Sequence, residues 1–392
     1  MTPAFGLFCN PESRRVEGFC AAAGQRLREH PRLVPWQILL EDRPWEPLLD
    51  PMPRFLRLES PGRNWRVEKL LLLRGARATD PESQAWRRIP GSVVSGLENE
   101  PGRIHSSRQW FLGWRDTLQG LSGWAGQPAL PARWLCTPED ILTMFDKAAC
   151  QEALEKAGLP VAPSLGIPRS FDDLWQRMRA TGYRRIFLKP CHGSSASGVV
   201  ALEASHDEIQ AFSSVELVET PAGTKLYNRR RIQVFRGAGE VRALVEEICP
   251  ERCLAQVWVP KAGLGGQPLD VRVVVIAGSA RHVMVRLGRG PITNSSLLGG
   301  KADPSVLRAR MGEESWLRML SVCERAMTEC FPRSLYAGID VLIEPDFRTS
   351  RILEVNAFGD LLPWNLHEGR DTYAWEVEES LNLPSQVSAI GS

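Results

Sequence analysis

The chain has 392 residues, more than one ordinary globular core holds, so two or three packed units are expected. A hydrophobic share of 43% against 24% charged residues excludes a mainly disordered chain. The net charge of +2 is too small to imply a nucleic-acid partner, and no run has the length and freedom from charge of a membrane span.

Only seven of the 48 basic residues are lysine, leaving 48 − 7 = 41 arginines, a side chain suited to phosphate and carboxylate. The nine cysteines form no C-x-x-C pair, and Cys249 and Cys253 lack the second pair or nearby histidine of a zinc site. Met1 to Asn10 shows no basic stretch followed by a long apolar one. These features predict reduced thiols and a cytoplasmic location.

Phe5 to Cys9 reads as a short strand, stopped by the turn Asn10–Pro11–Glu12–Ser13, which can also cap a helix from Arg14 to about Arg28. A second strand is expected over Val34 to Leu40 and a third over Phe55 to Leu58. Between them lie the loop prolines Pro44, Pro47, Pro51 and Pro53. Ser60–Pro61–Gly62 then precedes a helix ending near Ala76. This alternation is Rossmann-like. No G-x-G-x-x-G follows the first strand, which argues against dinucleotide binding there. Between Arg54 and Arg115 twelve basic residues meet six acidic ones, a balance of 12 − 6 = +6. That is either a solvated surface or a face for an acidic substrate or peptide. Gly120 to Pro131 reads as a boundary.

Thr137–Pro138–Glu139–Asp140 is a helix start, and helices on this stretch are broken by Gly158–Leu159–Pro160. Ile186 to Leu188 is a strand running into Lys189–Pro190–Cys191–His192–Gly193–Ser194–Ser195–Ala196–Ser197–Gly198, with Val199 to Leu202 as its partner. Small residues let backbone N–H groups and hydroxyls close over phosphates, and a lysine adds a point charge. A serine-rich hairpin without a ligand is the plainer alternative. The apolar strand around Gln256, Val257, Trp258 and Val259 can present its backbone to an adenine edge. Asp270 and Arg272 then stand where a ribose hydroxyl and a phosphate could be met, or all of this is ordinary sheet. Strands are expected over Val271 to Ile276, Val283 to Leu287 and Gly338 to Ile343, and one helix over Ser305 to Phe331. Glu354 and Asn356 share one face of the strand that follows, because side chains alternate. A hairpin register pairing Asp340 with Glu354 or Asn356 brings three oxygen-bearing side chains together. Such a set suits Mg²⁺, although an amphipathic hairpin with a wet face would read the same way.

As an ordered set these motifs resemble the ATP-grasp superfamily: Lys147 in a helix, Lys189 before a glycine/serine loop, Q-x-W-V, D-V-R, and D…E-x-N. RimK-type and D-alanine–D-alanine ligases are its better-known members, and the likeness covers about residues 137 to 367. It implies an α/β (α+β) fold in which an N-terminal Rossmann-like pre-ATP-grasp domain, 1–135, precedes a two-lobed ATP-grasp fold. Lobe A, with a phosphate lid, would span 136–258, and lobe B, with a Mg-binding hairpin, 259–392. Carried over, Lys147 and Lys189 hold the α/β-phosphates of ATP, while Ser194, Ser195, Ser197 and Gly198 lie in the lid. Gln256, Val257, Trp258 and Val259 cradle adenine, and Asp270 meets the ribose. Asp340, Glu354 and Asn356 ligate one or two Mg²⁺ ions, with Mn²⁺ as a substitute. Arg272, Arg286 and Asn294, ahead of Leu298–Gly299–Gly300–Lys301, face the transferred phosphoryl group. Trp364 and His367 line an acceptor pocket or serve as packing.

Two positions depart from the pattern. Val257 stands where relatives often carry an acid. His192 inside the lid is either a solvated residue or a proton acceptor and phosphoryl contact. The implied reaction joins a small-molecule or peptide carboxylate to an amine or thiol through an acyl phosphate. A hydroxyl kinase and a nucleotide-binding scaffold without turnover are the alternatives. Neither nucleic acid nor membrane is implied as a partner, and a homodimer is left open.

Overall fold

The computed structural model describes residues 3–80, 82, 86–125, 132–194, 196–205, 208–221, 223–288, 290, 292, 300–358, 362 and 365–383. The first part of the chain folds as β1 (Phe5–Cys9), α1 (Arg14–Leu27), β2 (Arg32–Pro35), α2 (Trp36–Leu40), β3 (Phe55–Leu58), α3 (Trp65–Arg77), α4 (Gly91–Ser95), α5 (Ser107–Ala125) and β4 (Arg133–Trp134). Its sheet has the order β2-β1-β3-β4 with every pair parallel. Parallel neighbours need crossover helices, which cover the faces, and β1 is accordingly buried at every residue. Ser13 caps α1 by accepting from the Arg15 amide.

Two expectations change in this region. The strand expected over Val34 to Leu40 ends at Pro35, and Trp36–Leu40 is a helix; so short an apolar run does not distinguish the two by periodicity. The long helix α5 was not expected, and it runs to Ala125, through the glycines read as a boundary. It meets α3 at backbone contact. A Cβ on Gly113 would stand 2.0 Å from the Leu71 carbonyl oxygen, and one on Gly75 1.8 Å from that of Gln109. Only glycine fits at that crossing.

The chain continues through α6 (Pro138–Phe145), α7 (Lys147–Lys156), β5 (Ser164–Gly166), α8 (Phe171–Thr181), β6 (Arg185–Pro190), β7 (Val200–Ala204), β8 (Ile209–Thr220), β9 (Gly223–Arg236), α9 (Gly237–Ile248) and β10 (Cys253–Val257). The second sheet is antiparallel, in the order β5-β10-β6-β7-β8-β9. Thr137 caps α6 with Pro138 in the first turn, as expected. Asp146 caps α7 by accepting from the amides of Ala148 and Ala149. The long β8–β9 hairpin and α9 were not anticipated.

The third sheet uses β11 (Gly263–Leu264), β12 (Gln267–Ile276), β13 (Ser279–Leu287), β14 (Gly300–Ala302), β15 (Tyr336–Ile343) and β16 (Ser350–Asn356), with α10 (Pro304–Met311), α11 (Glu313–Arg325) and α12 (Thr372–Asn382). Its antiparallel order is β14-β13-β12-β15-β16, with β11 on β12. The single helix expected over Ser305 to Phe331 is broken at Gly312, whose φ of 77° no α-helix adopts.

One apolar core runs from the first sheet into the third, joining Phe8, Val34 and Leu56 to Val271, Ile339 and Val355. The second sheet has its own core around Ile186, Leu202, Val241 and Leu244. Each such side chain contributes roughly 1.5–3 kcal/mol on burial, so sheets one and three are bound together far more strongly than through a few polar contacts. Arg57 of β3 lies inside this shared core. It is sandwiched between the rings of Phe19 (4.3 Å) and Tyr336 (4.6 Å) and paired with Glu59 at 2.6 Å and with Glu376 of α12. A short strap links sheets two and three: the Ile352 amide donates to the Pro160 carbonyl and the Val257 amide to that of Pro163, both at 2.8 Å. The nine cysteines are all free thiols. Among the described residues, no helix is long and apolar enough to cross a membrane.

Candidate functional site

The site lies where the β15–β16 hairpin of the third sheet faces β6 of the second. Strand register decides its geometry. Asp340 pairs with Glu354 and Gly338 with Asn356, so the three oxygen-bearing side chains occupy neighbouring positions on one face. On the same face, Arg272 of β12 lies opposite Asp340 and Arg286 of β13 opposite Asp270. Asp340 is nearly buried and takes a bidentate pair from Arg272 (2.5 and 3.1 Å) and a further contact from Arg286 at 2.9 Å. Burial pushes its carboxyl up, but the two guanidinium groups outweigh burial and hold it well below the usual carboxylate range. Glu354 is more open, about one-third exposed, and lies 3.3 Å from the Asn356 amide nitrogen.

Sheet two and α7 supply the facing lysines. The Lys147 ammonium donates to the Gly193 carbonyl at 2.6 Å and stands 3.9 Å from Glu354. Lys189, the penultimate residue of β6, donates to Gln256 Oε1 at 2.6 Å. A lysine is only a donor, so this contact sets the Gln256 amide with its nitrogen toward Gln151, which it meets. Burial pushes the Lys189 ammonium down to about 8, against the pull of Glu354 and reinforced by Lys261 and Lys147. Lys189 therefore shares one electrostatic site with the hairpin carboxylates on the opposite sheet. Among the described residues five cations (Lys147, Lys189, Lys261, Arg272, Arg286) and three carboxylates (Asp270, Asp340, Glu354) meet, 5 − 3 = +2 for this set.

Several expected site residues have other partners. Asp270 is held by Arg286 at 2.5 Å and by Lys261 at 3.4 Å, so the ribose role would compete with both. The Gln256 side chain is buried and bonded to Lys189 and Gln151. The hinge amides are also engaged: Val257 with Pro163, Trp258 with Arg185, and Val259 with Val257 at 3.0 Å. Trp258 packs against Phe187 and Phe212 in a small apolar cluster that also takes in Ile292 from the loop after β13. Ser194 is exposed, Ser197 half-buried, and Gly198, with φ of 75°, turns the loop back into β7. Ser195, Asn294 and Trp364 lie outside the described residues.

His192 is corrected outright. It is neither solvated nor turned toward the cleft: its ring stacks on Phe111 of α5 at 4.0 Å between centroids, and Nε2 meets Asp146 at 3.1 Å. Burial pushes its imidazole down to about 4 despite the Asp146 carboxylate.

Sequence reasoning missed Lys261 and Gln151. The signal for Lys261 was scarcity: three of the chain's seven lysines meet here, and a fourth, Lys301, lies opposite Arg286 in the register of β14. Two carboxylates and an amide oxygen on one strand face fit a hard divalent cation. Among the described residues no cluster of three His, Cys, Asp or Glu offers a rival site.

The same arrangement of sheets occurs in solved structures. The ATP-grasp ligase PsnB complexed with minimal precursor matches at a TM-score of 0.52 and 14% identity, over 97% of this chain and 99% of that one. D-cycloserine synthetase DcsG matches at 0.54 and 12%, over 96% and 98%. The chain has the ATP-grasp fold. A complex of PsnB with a phosphomimetic precursor variant, Mg and ADP is similar at 0.50 and 14%, over 97% of each chain. No family model and no curated protein matches the sequence. At such identities the likeness is one of architecture.

Proposed function

We propose that the protein is an ATP- and Mg²⁺-dependent ligase that activates a carboxylate as an acyl phosphate and passes it to an amine or thiol. One observation carries this reading: two facing sheets bring five cations around a three-oxygen face, with a surplus of +2. A nucleoside triphosphate with one divalent cation carries roughly two negative charges, which that surplus complements. The similar ATP-grasp ligase complexed with Mg and ADP adds support.

In this reading the three units are 1–135, 136–258 and 259–392, the last two clasping the nucleotide. Asp340, Glu354 and Asn356 hold Mg²⁺, which when bound supplies positive charge to the phosphate oxygens. Lys147 and Lys189 bind the phosphates, and Gln256 keeps Lys189 aimed. A carboxylate oxygen of the substrate attacks the γ-phosphorus. The bond to the bridging oxygen breaks, and its electron pair leaves with ADP. Arg272 and Arg286 stabilise the charge spread over the transferring group. An amine then attacks the acyl carbon, inorganic phosphate departs with the bonding pair, and the amine proton goes to solvent. The loop from Gly193 to Gly198 excludes water from the acyl phosphate. Positioning accounts for most of the acceleration.

Hydroxylamine tests the reaction. With ATP, Mg²⁺ and a panel of amino-acid and peptide carboxylates, hydroxamate should form in step with ADP for at least one acid. Phosphorylation of a hydroxyl with no hydroxamate would make the protein a kinase. Absence of any ATP-dependent product together with tight ADP binding would make it a scaffold.

A further inference from the structure

His192 has no place in the mechanism above, yet its side chain is fully enclosed, at 0% exposure. Its surroundings form a closed circuit. Asp146 accepts from His192 Nε2 at 3.1 Å and from Arg252 Nη1 at 3.0 and 3.2 Å, while its Oδ1 also caps α7 through the Ala148 amide at 3.0 Å. An ionised carboxylate only accepts, so Nε2 carries the imidazole proton; Nδ1 has no partner. The residue after Asp146 is Lys147, whose amide donates to the Cys191 carbonyl at 3.1 Å, and the Cys191 amide donates to the Arg252 carbonyl at 2.9 Å. The Lys147 ammonium then closes the circuit on the Gly193 carbonyl at 2.6 Å. On its outer side His192 continues a ring stack, with Phe111 at 4.0 Å and Phe145 a further 6.2 Å from Phe111. Arg252 is tied back to Glu82 at 3.1 Å.

We propose that His192 is a positioning residue: through Asp146 it locks Lys147 and the Cys191–Gly193 root of the loop into one geometry. This rests on the reading of Lys147 as a phosphate-binding group. The circuit connects the first unit, through Phe111 of α5, to the loop over the ligand. An unlocked Lys147 loses both the direction of its helix start and its carbonyl anchor. Ligand affinity then falls although no ligand contact has been removed.

His192→Phe keeps the ring stack and deletes the hydrogen bond, whereas His192→Gln replaces the ring and restores a donor near the Nε2 position. Mg²⁺-ADP dissociation constants measured by calorimetry should rise about tenfold for His192→Phe and recover with His192→Gln. In a Lys147→Ala background, His192→Phe should cost nothing further, because its effect passes through Lys147. Additive losses in that cycle would overturn the proposal. Hydrogen exchange without nucleotide supplies a second readout. His192→Phe should expose the Lys147, Ala148 and Gly193 amides while protection in sheet three is unchanged; unaltered protection at those three amides would also overturn it. Should the wild-type protein bind no Mg²⁺-ADP, the functional reading falls, while the exchange data still decide whether His192 locks Lys147.

Discussion

Arg57 and Arg272 are both strand residues, 1% and 5% exposed, each in direct contact with a carboxylate. Their surroundings differ in what is left over. Around Arg57 one cation meets two carboxylates, Glu59 and Glu376, beneath two aromatic rings. Burial pushes Glu376 up to about 7 despite Arg57, so a proton can neutralise the excess and the cluster is closed in charge as well as in space. Around Arg272 the balance among the described residues is +2, and Glu354 is about one-third exposed. A closed cluster serves packing, whereas an open one with surplus charge is suited to something that arrives from outside. Burial and residue type alone do not separate the two.

Substitution in the open cluster should break function and spare the fold. Glu354→Gln or Lys189→Ala should lower ATP turnover roughly a thousandfold, with melting temperatures close to wild type. Full turnover in both variants would defeat the assignment. In the closed cluster the outcome should reverse. Arg57→Met leaves two buried carboxylates without a cation and should cost about 3–5 kcal/mol in denaturant unfolding, while turnover per folded molecule is kept. A loss below 1 kcal/mol would mean that the packing tolerates bare carboxylates there.

Gly113→Ala probes the first unit without touching any charge. Its Cβ meets the Leu71 carbonyl oxygen at 2.0 Å, so α3 and α5 must separate. The expected cost is about 1–3 kcal/mol, read by thermal unfolding.

The smallest effect is with pH. Burial pushes the imidazoles of His105, His192 and His282 down to about 4 from the usual 6.5. The unfolded chain therefore takes up protons that the folded chain refuses. Their contribution is complete above about 6.5, falls as pH drops through that window, and levels off below about 4. Glu376, raised to about 7 from 4.5, acts in the opposite sense: its contribution is present below 4.5 and is lost as pH rises through 7. Between pH 6.5 and 4.5 the three histidines act against Glu376 and the likewise raised Glu68 and Glu251. Glu376→Gln removes one opposing group, so the melting temperature should fall more steeply from pH 6.5 toward 4.5 than in the wild type, which differential scanning calorimetry at half-unit steps would detect.

Features that depend on neighbours a few residues apart were readable in the sequence. Strand alternation put Glu354 and Asn356 on one face, Thr137–Pro138 announced α6, and Lys189 before a run of small residues marked the loop. What required the three-dimensional partner was not readable. Asp270 gives no local sign that Arg286 and Lys261 hold it, and Gln256 none that it faces Lys189. His192 looked like a loop residue because the ring that buries it, Phe111, is 81 positions earlier in the chain (192 − 111). The β8–β9 hairpin lacks the tight-turn dipeptides that advertise one.

The strap between sheets two and three has a mechanical consequence. It is four residues long, Pro160 to Pro163, with a hydrogen bond at each end and two proline rings that fix φ. A tether so short and stiff behaves as a clasp pin: it holds β10 and β16 at a set spacing and leaves little torsional play between the two jaws. Relative motion of the two sheets is then confined to shifts that keep β10 and β16 at that spacing.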